Sequence, residues 1–242
     1  LFLIYTAVSG RFSSHVIRGA FILFITAMVF IQYPGSKRSP QNRPSVLDVV
    51  LILISIFTFG NFCINYPDMA WRAGMPVFTD VFFGAFAIIL VIEASRRAMS
   101  FILPALATFA FFYGYLGPYF PGLFQHQGFS FSILVQDTYA SMNGIFGLVA
   151  YIFSAYVVLF VIMGALFQKI GADAFLIDLP LALTGRFRGG AAKSCATAST
   201  FFGMISGSAT ANTVTTGAFT IPLMKRVGYR PHVAGAIEPA AS

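Results

Sequence analysis

Charge is what this sequence has least of. Asp, Glu, Lys and Arg make up only 10% of its 242 residues, against roughly 25% in soluble domains, which excludes an ordinary water-facing surface. Cysteine is scarcer still: Cys63 and Cys195 both lie in or beside apolar segments, the pattern of buried free thiols rather than of a disulfide framework or a thiolate metal site. The three histidines, His15, His126 and His232, fall in separate links with no second ligand at metal spacing, and are read as solvated or locally bonded. No phosphate-cradling loop, zinc signature or nucleotide motif is present. The 15 Lys and Arg give a net charge of +7, yet they form no stripe or tail. They sit in short clusters between apolar runs, which is topogenic charge and not a nucleic-acid surface.

What is present is bilayer-grade sequence. Hydrophobic residues make up 57% of the chain and aromatic residues 17%, with 29 Phe. A membrane-spanning helix needs about 20 mostly apolar residues, and five such runs are visible, at 19–33, 46–64, 76–94, 99–117 and 145–168. The composition predicts an all-α integral membrane protein, a polytopic helical bundle whose partners include the lipid bilayer. The link after the first run carries Lys37, Arg38 and Arg43, the link after the third carries Arg96 and Arg97, and Lys169 follows the fifth. The link after the second has only Arg72, set against Asp68, and residues 118–143 contain no Lys or Arg. This alternation places the basic links in the cytoplasm, with Arg11 and Arg18 as a mild violation. Opening on Leu1 and closing on "EPAAS", the chain is expected to be a fragment that continues past Ser242.

Near residue 144 the texture changes from Phe-rich to small-residue-rich. Three regions are expected: a four-helix scaffold over 1–144, a linking transmembrane helix and interfacial arm over 145–188, and a working region from 189 to 242. The arm, "GADAFLIDLPLALTGRFRGG", has about ten consecutive apolar residues, too few to span, bracketed by Asp173, Asp178, Arg186 and Arg188. It is expected to lie at the membrane interface, with Gly171 and Gly185 as end signals. Beyond it, residues 194–224 carry no charge at all.

The core of that uncharged run is "FFGMISGSATANTVTTGAFTI". Gly203, Gly207 and Gly217 permit reversal or close backbone approach, and Ser206, Ser208, Thr210, Asn212, Thr213, Thr215 and Thr216 offer neutral oxygens. Non-helical chain at membrane depth survives only where protein or a water-filled cavity surrounds it. A helix break of this kind suits a partly dehydrated hard cation such as sodium, and half-helix N-termini suit a carboxylate. The competing explanation is close helix packing, since "GMISG" has the small-xxx-small spacing.

Over residues 189–229, "GGAAKSCATASTFFGMISGSATANTVTTGAFTIPLMKRVGY" resembles the signature of the large membrane subunit of tripartite ATP-independent periplasmic (TRAP) transporters: a glycine pair, an uncharged run, "SGSA-x-A-[DN]", a glycine, "IP-x-M", a basic pair and "GY". The stretch "RGAFILFITAMVFIQYP" over residues 18–34 resembles the amino-terminal part of the fused permeases of that family. Asn212 stands where many unfused relatives have Asp. The resemblance implies secondary transport: sodium-driven uptake of an organic acid, usually a carboxylate, delivered by a soluble periplasmic binding protein, in a bacterial or archaeal inner membrane. It implies a re-entrant helical hairpin here and a second hairpin beyond Ser242. By that mapping Ser206, Gly207, Ser208 and Asn212 surround the hairpin tip, with Thr215 and Thr216 as further candidates. No cofactor is implied beyond sodium as coupling ion.

Other residues have plainer readings. Glu93 and Arg97, four apart on one helix, are expected to pair; Asp80 is expected to make an interfacial or interhelix hydrogen bond; Asp48 sits where a helix dipole favours an acid. Lys225, Arg226 and Arg230 are expected to form the cytoplasmic stop after the uncharged run. An intramembrane serine protease would need G-x-S-G, and the tetrapeptide here is "MISG", so an enzyme is not expected. A channel-like pore with a re-entrant hydroxyl-lined segment is the alternative to a transporter.

Overall fold

The computed structural model describes residues 2–35, 44–99, 101–170, 172–206 and 209–242. Those residues form helices and turns, with no strand among them. Two compact units divide the chain, residues 1–155 and 156–242.

The first unit contains α1 (Phe2–Ser9), α2 (Ser14–Gln32), α3 (Val46–Trp71), α4 (Phe78–Ala98), α5 (Ile102–Leu116), α6 (Phe131–Ala140) and α7 (Leu148–Ile152). Helices α2, α3 and α4 are long and apolar enough to cross a membrane, as is the segment Leu148–Leu166, which continues through the unit division. The polytopic all-α architecture expected from composition is therefore what the chain adopts. The fourth apolar run gives only the 15 residues of α5 before a 3₁₀ turn at Gly117–Tyr119, about 22 Å at 1.5 Å per residue, short of a typical hydrocarbon core. Residues 131–140, read from the sequence as part of a link, form α6; Ser130 caps it by accepting from Ile133 N at 3.4 Å. Ten residues fall below any membrane-span signal, which is why hydropathy passes over them.

Aromatic packing holds this unit together. The rings of Phe62 and Phe146 stack with centroids 3.6 Å apart, and Phe30, Phe59, Leu90 and Tyr139 are buried around them. Gly84 lets α6 approach α4: a Cβ there would lie 2.5 Å from Val135 Cγ1 and 3.3 Å from Val135 O. Tyr139 then reaches across and donates to Thr58 O at 2.7 Å.

The buried charged groups described in the first unit, Asp48, Asp80 and Arg97, are each paired. Asp48 accepts from Ser45 N at 2.8 Å, forming the capping box that starts α3. Its other oxygen takes Arg97 Nη1 at 2.5 Å, and Arg97 also donates to Glu93 at 2.7 Å and to Tyr33 O at 3.3 Å. The expected Glu93–Arg97 pair thus exists, but it belongs to a buried tie between α3 and α4 that also fixes the end of α2. Asp80 is 1% exposed and pairs with Arg72 at 3.3 Å, although Asp68 is nearer to Arg72 in sequence. Arg18 is held by Phe146 O at 2.8 Å and by the Tyr151 ring at 4.8 Å. His126 receives Gly128 N on Nδ1 at 3.1 Å, so its Nε2 is assigned the proton shared with Tyr113 O. It is locally bonded, as expected.

The second unit begins at Tyr156, within a π-turn at Phe153–Val157, and contains α8 (Val158–Lys169), α9 (Ala172–Thr184), α10 (Gly190–Ser206), α11 (Ala209–Arg226) and α12 (Pro231–Ala241). The arm seen in the sequence is the helix α9, and it stops one residue before Gly185. The signal glycine Gly171 lies outside the described residues. Between α9 and α10, Gly189 takes φ +72°, and a Cβ on Gly190 would lie 2.2 Å from Gly185 O. The glycine pair is a steric requirement of this turn.

Candidate functional site

Helices α10 and α11 pack against each other. With 17 and 18 residues, they are each about 26 Å long, so either alone falls short of a typical bilayer core. Their facing surfaces are built from the small and hydroxylated residues that the sequence concentrates here. Gly203 makes this approach possible, because a Cβ there would sit 3.2 Å from Asn212 Nδ2.

Asn212 is the best-defined of the predicted site residues. It is 1% exposed, and its Nδ2 donates to both Ser199 O and Ser199 Oγ at 3.0 Å. Its Oδ1 is buried and has no hydrogen-bond partner among the described residues. A buried carbonyl-type oxygen with both lone pairs unused is uncommon, because desolvation without compensation is costly. Ser199 is itself linked onward to Ser242, with the two hydroxyl oxygens 2.9 Å apart.

The remaining predicted residues divide. Thr216 is fully buried and donates to Asn212 O at 2.8 Å. Thr215, one position earlier on the helix, is only partly buried. Ser206 closes α10, its side chain lying outside the described residues, and Gly207 and Ser208 lie outside them altogether. Thr213 donates to Ala209 O at 2.9 Å and so spends its proton on its own helix.

One group was not singled out in the sequence. Glu238, on α12, is 0% exposed. Its Oε1 meets the Thr216 hydroxyl, and its Oε2 meets the Thr220 hydroxyl and accepts from Cys195 Sγ at 2.8 Å. A carboxyl within "GAIEPAA", an apolar small-residue context, is the signal that could have found it. The sequence reading placed Cys195 correctly as a buried free thiol.

A shallow cavity of about 430 Å³ opens beside the hairpin, lined in part by Asp178, Ser194, Phe219, Thr220 and Arg226. Lys225 and Arg226 occupy the last turn of α11, where cations favour the helix dipole, and both are exposed.

An uncharacterized protein of Salmonella typhimurium, YgiK, is 37% identical over 83 residues, covering 34% of this chain and 19% of that protein. A putative TRAP transporter large permease protein of Haemophilus influenzae is 34% identical over 73 residues, 30% of this chain and 17% of that protein. The matches thus span under a fifth of the length of these relatives. No solved structure matches. Residues 86–242, from the middle of α4 to the final residue, match the family described as "Tripartite ATP-independent periplasmic transporter, DctM component". A match over well more than half its length, with the hairpin inside it, makes this chain a member of the DctM-component family of TRAP transporters.

Proposed function

We propose that this chain is part of the membrane permease of a secondary transporter that takes up organic acids, most simply carboxylates, together with sodium. A soluble periplasmic binding protein delivers the substrate, and the membrane is a bacterial or archaeal inner membrane. In this reading residues 1–144 are scaffold, 145–188 link, and the hairpin of α10 and α11 belongs to a moving transport domain. Alternating access then carries the hairpin with its ligands past the scaffold.

The observation that carries the reading is Asn212 Oδ1, buried with no hydrogen-bond partner among the described residues. It lies in the first turn of α11, in a segment with no charge and many neutral oxygens. A partly dehydrated sodium ion is the partner such an oxygen suits: it takes neutral carbonyl and hydroxyl ligands and needs no counter-charge from the protein. Ser206, Gly207, Ser208 and Asn212 would hold it. Thr216 supports Asn212 from below through the Asn212 carbonyl, and Thr215 is the weakest candidate because it is only partly buried.

The test is uptake of radiolabelled dicarboxylates into proteoliposomes that hold the full-length gene product, with its binding protein outside and with or without an inward sodium gradient. Uptake that requires both, and that Asn212→Ala and Ser208→Ala abolish, is the expected result. Flux that needs neither the binding protein nor sodium would instead identify a pore.

A further inference from the structure

Two arginines stand side by side in the last turn of α4, and the fold uses them differently. Arg97 is 5% exposed and is taken up by Asp48, Glu93 and Tyr33 O. Arg96 is 42% exposed. Its Nε and Nη2 donate to the two oxygens of Glu93 at 2.8 Å, and Nη2 also donates to Gly35 O at 3.1 Å. A guanidinium has five N–H groups, so the two on Nη1 are left with no partner among the described residues.

Beside Arg96 an apolar groove of about 400 Å³ runs between α4 and α5, lined by Ile92, Phe101, Ala105, Phe109 and Phe112 together with Arg96 itself. Along α5 these positions recur every three or four residues and so form one face. From Phe101 to Phe112 that face runs about 16 Å, half of the roughly 30 Å of a typical hydrocarbon core and thus the depth of one leaflet. The three phenylalanines are each more than half exposed. The hydroxyl of Thr108, also in the lining, donates to Pro104 O at 2.7 Å on its own helix, so the walls offer carbon to whatever fills them.

Charge is confined to one end of this groove. Residues 98–136 contain no Asp, Glu, Lys or Arg. The end that holds Arg96 also holds the start of α5, which has no side-chain cap and no acid in its first turn, and a helix N-terminus of this kind favours an anion. The alternation of basic links puts this end of α4 in the cytoplasm, the side where anionic lipids attract Lys and Arg to the membrane surface.

We propose that the groove between α4 and α5 is a binding site for one anionic phospholipid of the cytoplasmic leaflet. An acyl chain lies along the groove, and the phosphate takes the free N–H groups of Arg96 Nη1 beside the start of α5. A phospholipid supplies both halves of this chemistry in one molecule, a carbon chain of leaflet depth and an anion at its head. A protein helix covering the same wall would have to bring an acid at that one height. The site belongs to the first unit alone, so its test needs no transport.

The probes are dioleoyl phosphatidylglycerol, which is anionic, and dioleoyl phosphatidylethanolamine, in which an ammonium offsets the same phosphate. Each is titrated into the full-length protein in detergent, and binding is read from the rise in melting temperature and from the lipid retained in native mass spectrometry. The wild type is expected to bind phosphatidylglycerol about fivefold more tightly, the effect of one arginine near a lipid headgroup. Arg96→Gln is expected to bring that ratio to one, and Arg96→Lys, which keeps the charge, to retain part of it. Ala105→Phe leaves Arg96 in place but fills the groove, and is expected to weaken both lipids alike. Equal affinities in the wild type, or a preference that survives Arg96→Gln, would overturn the site. If the rest of the full-length chain covers the groove instead, Ala105→Phe lowers the melting temperature in lipid-free detergent and leaves lipid binding as in the wild type, which overturns it as well.

Discussion

Asn212 holds Ser199 through one nitrogen: Nδ2 donates to both the carbonyl oxygen and the hydroxyl of Ser199 at 3.0 Å, leaving Oδ1 buried with no bond among the described residues. The amide is thereby oriented, and the orientation is what presents an oxygen rather than a nitrogen at its free end. Asn212→Ala removes both functions. It is expected to cost about 1–3 kcal/mol of stability, since the Ser199 carbonyl loses its side-chain donor in a buried place, and to abolish sodium-dependent uptake. Ser199→Ala keeps the bond to the carbonyl, so its thermal melting and uptake should lie much closer to wild type. Equal losses in the two variants would argue that Asn212 serves packing alone.

Arg97 is the most exacting charge in the first unit. It is nearly fully buried and compensates Asp48, which is buried as well. Removing it strands a buried carboxylate, so Arg97→Met is expected to destabilise the protein by about 3–5 kcal/mol. The double variant Arg97→Met with Asp48→Asn should recover a large part of that loss. Thermal unfolding of the four proteins in one detergent checks this as a double-mutant cycle.

Gly84 and Gly60 lie in neighbouring helices but face different surroundings. A Cβ on Gly84 would press into Val135, while a Cβ on Gly60 meets nothing within 4 Å. Gly84→Ala is therefore expected to lower stability by about 1–3 kcal/mol, as overpacking does. Gly60→Ala should be neutral or stabilising, by up to about 1 kcal/mol, from helix propensity. Melting temperatures measured side by side decide the matter.

The turn into the hairpin offers a backbone test. Gly190→Ala would place a methyl 2.2 Å from Gly185 O, a backbone atom that cannot rotate away. This variant is expected to disturb the start of α10 and to reduce uptake even though it touches no proposed ligand. Gly228→Ala, at φ +96° with open space around it, should pay only the backbone strain and remain active. Limited proteolysis between α9 and α10, faster in Gly190→Ala than in Gly228→Ala, would locate the disturbance.

The membrane class, the long spans α2, α3 and α4, and the close pair of α10 and α11 were legible in the sequence because a bilayer imposes its own length scale. A run of about 20 apolar residues has few other uses, and a dense patch of Gly, Ser and Thr inside an uncharged segment marks close approach of backbones. Local rules reached as far as contacts within one helix, such as the acid Asp48 at the start of α3 and the Glu93–Arg97 pair. The tertiary structure alone decided the rest, since those partners are distant in the chain. Arg97 finds Asp48 across 49 positions, and Cys195 finds Glu238 across 43. No periodicity encodes which carboxyl meets a cation and which meets hydroxyls and a thiol; that depends on how the helices pack, and among the described residues it separates Asp48, Asp80 and Glu93, paired with arginines, from Glu238, which meets Thr216, Thr220 and Cys195.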